Sequence, residues 1–156
     1  MTEQNELALD RQVCFALYSA SRAVIRMYRP LLDELGLTYP QYLVLLVLWE
    51  RGEVTVKDLG AALELDSGTL SPLLKRLESA AMVQRRRAAD DERSVVVETT
   101  PEGQALRERA KSVPRRIGCA TGLADTDLEE FRAQLRAITA FMDNQQLVLD
   151  DTEENS

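Results

Sequence analysis

Leucines recur at Leu70, Leu73, Leu74 and Leu77, the i, i+3, i+4, i+7 spacing of a helix with one buried side. The intervening positions hold Ser67, Thr69, Ser71, Lys75 and Arg76. The pattern predicts one amphipathic helix between Leu65 and Glu78. Short hydroxyls near its start and cations further along suit a helix lying in a DNA major groove. There hydroxyls reach base edges and cations reach phosphates. An ordinary surface helix has the same two faces, so the flanking segments decide between the two.

Upstream, apolar residues at Val13, Leu17, Ala20, Val24, Met27, Tyr28, Leu31 and Leu35 predict a long helix from about Asp10 to Leu35, with a heptad-like stripe suited to a partner helix. Pro30 is expected to kink or interrupt it, and Gly36 to stop it. Thr38-Tyr39-Pro40-Gln41 reads as a capping box. The helix it opens is almost wholly apolar from Tyr42 to Trp49, hence buried on most sides. Thr55 to Asp58 caps a short helix with Val56, Leu59 and Leu63 inward. Three short helices joined by tight turns, the last polar on one side, form a helix-turn-helix pattern.

Downstream, Met82 to Arg87 and Ser94 to Thr99 read as strands joined by the polar loop from Ala88 to Arg93. A hairpin directly after a helix-turn-helix is a wing. Arg93 at its tip suits a narrow minor groove, with Asp90, Asp91 and Glu92 near enough to hold its side chain; a solvated charged loop is the plain alternative. Thr100 and Pro101 restart a helix, which is expected to bend at Pro114. Gly118 to Gly122 reads as a break. Thr126 to Glu129 reads as a second capping box, and Leu128, Phe131, Leu135, Ile138 and Met142 form a further seam. Residues 1–9 look frayed, and the acidic tail from Asp150 to Ser156 is expected to be disordered.

The small central part cannot cover the seams of the first and last helices. A homodimer with those helices interlocked covers them, and it presents two recognition helices to two half-sites. The fold class that follows is mainly α with a small β wing. One domain spans 1–156, with a winged helix-turn-helix DNA-binding part over about 38–100, dimerisation helices over 7–37 and 101–149, and a tail over 150–156.

Charge at first argues against DNA. The chain of 156 residues has a formal net charge of −7. Its distribution changes the picture: residues 1–119 hold 17 Lys/Arg and 17 Asp/Glu, so the whole deficit lies beyond them. Residues 67–89 hold Lys75, Arg76, Arg85, Arg86 and Arg87 against Glu78, a local net of +4. The local field, not the total, governs binding to a phosphate backbone. No histidine is present, which removes Ser-His and Cys-His nucleophile pairs and histidine-ligated metals. No cofactor or metal is expected. The N-terminus is polar and acidic, unlike a signal peptide, and no run is long enough for a membrane span, so a cytoplasmic protein without membrane contact is expected.

The two cysteines, Cys14 and Cys119, lie 105 residues apart, which excludes a CxxC pair. In a reducing compartment such thiols are ordinarily inert core residues. A sensing thiol must be partly thiolate. Cys14 has no Lys or His beside it, which leaves Arg11 or phenol hydroxyls to stabilise the anion. Tyr18 is one turn away. Tyr28 is fourteen residues on, about 21 Å along a straight helix, so it cannot reach its own Cys14 unless the helix folds back, while across a dimer interface it can.

At this point the chain resembles the MarR-type winged-helix repressors, and within them the organic hydroperoxide sensors. The resemblance covers nearly all of residues 7–149. It rests on the stretch Asp10 to Tyr18, on Tyr28-Arg29-Pro30-Leu31-Leu32, on Thr38-Tyr39-Pro40-Gln41-Tyr42, on Leu65 to Leu70, and on Asp90-Asp91-Glu92-Arg93-Ser94. The wing motif gives only the broad family; Cys14 with Tyr28 and Tyr39 gives the hydroperoxide branch. The resemblance implies that Cys14 senses organic hydroperoxides while held by Tyr28 and Tyr39 of the other subunit. Cys119 matches the two-cysteine subtype, which implies an intersubunit disulfide with oxidised Cys14 and release of operator DNA. The gene so controlled is typically a peroxidase.

On double-stranded operator DNA, Ser67, Thr69, Ser71 and Pro72 are assigned to the groove floor, and Lys75 and Arg76 mainly to phosphate. Arg85, Arg86 and Arg87 line the wing, and Arg93 enters the minor groove. Phe15, Leu17, Met27 and Trp49 are candidates for an apolar pocket. A regulator rather than an enzyme is expected. Three competing readings stay open: a repressor of the same fold released by a small aromatic ligand, a thiol peroxidase, for which the wing would have no purpose, and a purely structural interaction module, which leaves the same features unexplained.

Overall fold

A short 3-10 turn, Leu9–Arg11, leads into α1 (Val13–Asp33). The computed structural model describes residues 7–89, 91, 93–121 and 125–153. These fall into two units, Met1–Ile117 and Gly118–Ser156. α1 runs unbroken through Pro30, contrary to the interruption expected there. Proline costs a helix one hydrogen bond, and here the turn that contains it is held by the buried Leu31 and Leu32. The helix then closes as a Schellman motif. Leu37 N–H donates to Leu32 C=O at 3.0 Å and Gly36 N–H to Asp33 C=O at 3.1 Å. Gly36 supplies the positive φ of 69° that this closure needs.

The capping box opens α2 (Tyr39–Arg51) as expected: Thr38 N–H donates to Gln41 Oε1 at 2.9 Å, and Gln41 N–H to Thr38 Oγ1. α2 is the central helix of the core, with Tyr42, Val44, Leu45, Val47, Leu48 and Trp49 all buried. Next comes β1 (Val54–Thr55), a strand absent from the pattern analysis. α3 (Val56–Leu63) is capped by Thr55, whose Oγ1 accepts from Asp58 N–H at 3.0 Å. Leu59 is fully buried, while Val56 and Leu63 are half-buried. α4 (Ser67–Ser79) follows after a turn with Glu64 in the left-handed region. Leu70, Leu73, Leu74 and Leu77 are all buried.

β2 (Val83–Arg87) and β3 (Val95–Thr99) form the hairpin, antiparallel from Val83 opposite Thr99 to Arg87 opposite Val95. β1 pairs with β3 at Val97 and Val96, so the sheet order is β1-β3-β2 with β3 in the middle. Thr100 caps α5 (Pro101–Ala110) by accepting from Gly103 N–H at 3.0 Å. A Cβ on Gly103 would overlap the Met82 carbonyl, so a glycine there lets α5 sit against the foot of the wing.

Four expectations in the C-terminal part are corrected. The helix after Thr100 ends at Ala110 and α6 (Ser112–Thr121) begins after Lys111. The break therefore precedes Pro114, which sits in the first turn of α6, where an N–H has no intrahelical partner to lose. Gly118 and Cys119 are not a break but belong to α6; one glycine costs a helix only about 1 kcal/mol. Gly122 lies outside the described residues. α7 (Asp125–Glu153) starts before Thr126, which is inside the helix and not its cap. The acidic tail is helical as far as Glu153; it contains no glycine or proline to stop it. Among the described residues, no helix is long and apolar enough to cross a membrane.

Candidate nucleic-acid interface and thiol site

The face of α4 opposite its leucine stripe is exposed along its whole length. Ser67, Thr69, Ser71, Pro72, Lys75 and Arg76 all lie on it. Its N-terminus is fixed by Asp66, whose Oδ1 accepts from Thr69 N–H at 2.8 Å and Oδ2 from Thr69 Oγ1 at 3.0 Å. These two bonds, the amide first, hold the Asp66 carboxyl below its ordinary range. Thr69 thus spends its hydroxyl proton on the cap, while Ser67 and Ser71 flank it on the exposed side.

The wing arginines divide by strand alternation. Arg85 points back to α4, with its N–H, Nε and Nη2 donating to Glu78 at 3.2, 3.1 and 2.7 Å. The bonds from Arg85 hold the Glu78 carboxyl below the usual range. Arg86 turns to the other face and pairs with Glu53 and, at 3.5 Å, with Glu98. Glu98 also accepts from Gln84 Nε2 at 2.9 Å. Arg87 is exposed at the outer end of β2. Arg93 is exposed near the tip, and its backbone N–H donates to Asp91 Oδ1 at 2.9 Å. Asp91 thus braces the backbone of Arg93; the expected help from Asp90 and Glu92 falls outside the described residues.

Cys14 is the second residue of α1 and Cys119 lies in α6; both are free thiols and exposed. Neither lies in the core of this chain, where such thiols were expected. Tyr18 is 59% exposed. Its ring lies under the Arg22 guanidinium, 5.5 Å from the centroid, and its hydroxyl accepts from Arg22 Nη1 at 3.4 Å. Tyr28 and Tyr39 come together, with ring centroids 4.8 Å apart. Burial raises both phenols above their ordinary value, and for Tyr28 the neighbouring Tyr39 adds to the effect. Both stay protonated near neutrality and remain hydrogen-bond donors. Because α1 is continuous from Val13 past Tyr28, the fourteen-residue separation stands as about 21 Å. Cys14 cannot meet Tyr28 of its own chain.

A third tyrosine joins this pair, one that the sequence places in the buried run of α2 without a role at the site. Tyr42 is 2% exposed and lies 6.0 Å from Tyr28, ring to ring. Burial, then Tyr28 and Tyr39, push its phenol up to about 12. The available signal was its i+3 spacing from Tyr39 on α2, which puts both on one helix face. Trp49, expected in an apolar pocket with Phe15, Leu17 and Met27, is buried and lines a pocket with Tyr42, Leu46, Arg107 and Pro114 instead. Its Nε1–H donates to Gly103 C=O at 3.0 Å, and its ring meets Tyr42 edge-on at 6.5 Å. Phe15 is exposed, and Leu17 and Met27 are half-buried.

A winged helix-turn-helix with an exposed, hydroxyl-lined α4 defines a DNA-binding transcription regulator. Comparison with known proteins places it more narrowly. Residues 26–109 match the family model described as Transcriptional regulator SarA/Rot. The chain is 44% identical over 131 residues to the organic hydroperoxide resistance transcriptional regulator of Bacillus subtilis (strain 168), spanning 84% of this chain and 89% of that protein. It is 48% identical over 136 residues to the HTH-type transcriptional regulator TtmR of Methylorubrum extorquens (strain PA1), spanning 87% and 68%. Reduced AbfR bound to DNA has a similar structure, with a TM-score of 0.71 and 35% identity over 86% of this chain and 94% of that one; AbfR has also been solved with a disulfide formed. The chain belongs to the MarR-type winged-helix regulators, in the branch of the organic hydroperoxide regulators.

Proposed function

We propose that the protein is a homodimeric repressor that senses organic hydroperoxides through Cys14 and leaves its operator when that thiol is oxidised. The observation that carries this reading is the exposed Cys14 on the same unbroken helix as Tyr28, too far along it to be reached, while Tyr28 and Tyr39 stand together as protonated phenols. Only a second subunit brings thiol and phenols together. Val13, Phe15, Tyr18, Val24 and Ile25 on α1, and Phe131, Ile138, Phe141 and Met142 on α7, are exposed apolar side chains that such a dimer buries.

The chemistry balances simply. The Cys14 thiolate attacks the terminal oxygen of a hydroperoxide ROOH. The O–O bond breaks, RO⁻ leaves and takes a proton to become the alcohol, and Cys14 becomes a sulfenic acid. The phenols of the partner subunit donate to the thiolate before attack, which keeps it ionised. The thiol of Cys119 of the partner subunit then displaces the sulfenic oxygen as water and forms a disulfide. AbfR, which is known with a disulfide formed, supports such an end state. Tying the subunits together shifts the two winged parts out of register with two half-sites, a redox change read out as DNA affinity.

On DNA, Ser67, Thr69, Ser71 and Pro72 face base edges, Lys75 and Arg76 face phosphates, Arg87 lies along the wing and Arg93 enters the minor groove. Arg85 and Arg86, held by Glu78, Glu53 and Glu98, brace the wing. The test is binding to the DNA upstream of the protein's own gene. The reduced protein is expected to bind, to be released by cumene hydroperoxide, and to rebind after dithiothreitol. Cys14→Ser is expected to bind and to ignore the hydroperoxide. Release of Cys14→Ser by the hydroperoxide would remove Cys14 as the sensor.

A further inference from the structure

We propose that Tyr42 is a positioning residue for the sensing thiol, its buried ring setting the place of Tyr28 and, through Tyr28, of Tyr39. The inference rests on the reading of Cys14 given above and adds a residue to it.

Tyr28 and Tyr39 come from different helices and are only half-buried. Two such side chains have several rotamers open to them, and a hydrogen bond to a thiolate needs the phenol oxygen held to within a few tenths of an ångström. Something beneath them must restrict that freedom. Tyr42 is the residue in place to do so. Its ring lies 6.0 Å from that of Tyr28 at 43°, while Tyr28 lies 4.8 Å from Tyr39. Tyr42 is itself fixed from behind, edge-on to Trp49 at 67°. Trp49 cannot rotate away without breaking its 3.0 Å bond to the Gly103 carbonyl at the start of α5. The four rings form a stack whose base is anchored in the core and whose outer members are the two phenols. Rings at these separations attract each other beyond simple burial. The ring, not the hydroxyl, is what the stack requires.

The test uses the full-length homodimer in a Cys119→Ser background, so that loss of free thiol with cumene hydroperoxide reports Cys14 alone. The rate is followed across pH. Tyr42→Leu is expected to slow the reaction about tenfold, the size of one weakened bond to a charged group, and to move the pH midpoint of the rate upward. Tyr42→Phe restores the stack and is expected to restore both rate and midpoint. A Leu74→Ala control, which damages the core from α4, is expected to leave the midpoint alone. Three outcomes would overturn the proposal: a folded Tyr42→Leu with wild-type rate and midpoint, a Tyr42→Phe as slow as the leucine variant, or a Leu74→Ala midpoint shifted as far. Tyr42→Phe loses only the hydroxyl and keeps the ring, so a phenylalanine variant with its rate and midpoint displaced from wild type overturns the proposal even where the leucine variant does not fold. The Tyr28→Phe/Tyr39→Phe double variant separates the two levels. Unchanged rates there would remove the phenols from the thiol site altogether. A slow double variant beside a normal Tyr42→Leu would remove only Tyr42.

Discussion

Asp66 holds the start of α4 with one carboxylate accepting both the amide and the hydroxyl of Thr69. Those bonds favour the ionised form, and the carboxyl titrates below its ordinary range in the folded chain. The sign of the pH effect follows. The folded value lies below the unfolded one, so the unfolded chain takes up its proton first. The cap's contribution is present in full above the unfolded value, near 4, and is lost as pH falls through the lower folded value. Asp66→Asn keeps an acceptor but does not ionise. Its melting temperature is expected to lie below wild type at pH 7, and the gap is expected to close in acid. Circular-dichroism melts at a series of pH values check this; a gap of constant size down to the acid limit would mean that ionisation of the cap contributes nothing.

At the level of elements, what was legible was what the chain repeats. The leucines of α4 recur with helical period, and the caps Thr38, Thr55 and Thr100 each stand at the start of a helix that the pattern predicted. β1 has two residues, too few for alternation to register. Pro30 and Pro114 misled because a proline's cost depends on its place in a turn and on what the turn packs against, and neither is a local property. The carboxylates that hold Arg85 and Arg86 come from the residue before β1, from α4 and from β3, neighbours only after folding. The family pattern and the reach of a helix single out Cys14, Tyr28 and Tyr39 as candidates; Tyr42, a tyrosine in an apolar run, reads as filling. Gly103 makes the same point in the other direction. Nothing local marks it, yet a side chain there meets the Met82 carbonyl. Gly103→Ala is expected to destabilise the fold by about 1–3 kcal/mol, the usual cost of overpacking, and to lower the urea midpoint at unchanged slope. An alanine variant as stable as wild type would show that the wing and α5 have room to separate.

For the whole molecule, the question is how a chain of net charge −7 holds a polyanion. The sequence count gave +4 over residues 67–89, but folding returns part of that charge to the protein. Arg85 faces Glu78, and Arg86 faces Glu53 and Glu98. Among the described residues, Lys75 and Arg76 on α4 and Arg87 and Arg93 on the wing are exposed, and the reading proposed above gives them to the DNA. Salt dependence separates the two groups. Each phosphate contact releases counterions and contributes about 0.9 to the slope of log K against log salt. In a dimer every substitution acts twice. Lys75→Ala or Arg76→Ala is therefore expected to weaken binding on all sequences and to flatten the slope by roughly 2. Arg85→Ala is expected to leave the slope near wild type and to lower the melting temperature, because it frees Glu78 and loosens the wing from α4. An Arg85→Ala slope that falls as far as that of Lys75→Ala would mean that Arg85 exchanges Glu78 for a phosphate on binding. The wing would then be rearranged by the operator and not presented to it ready-made.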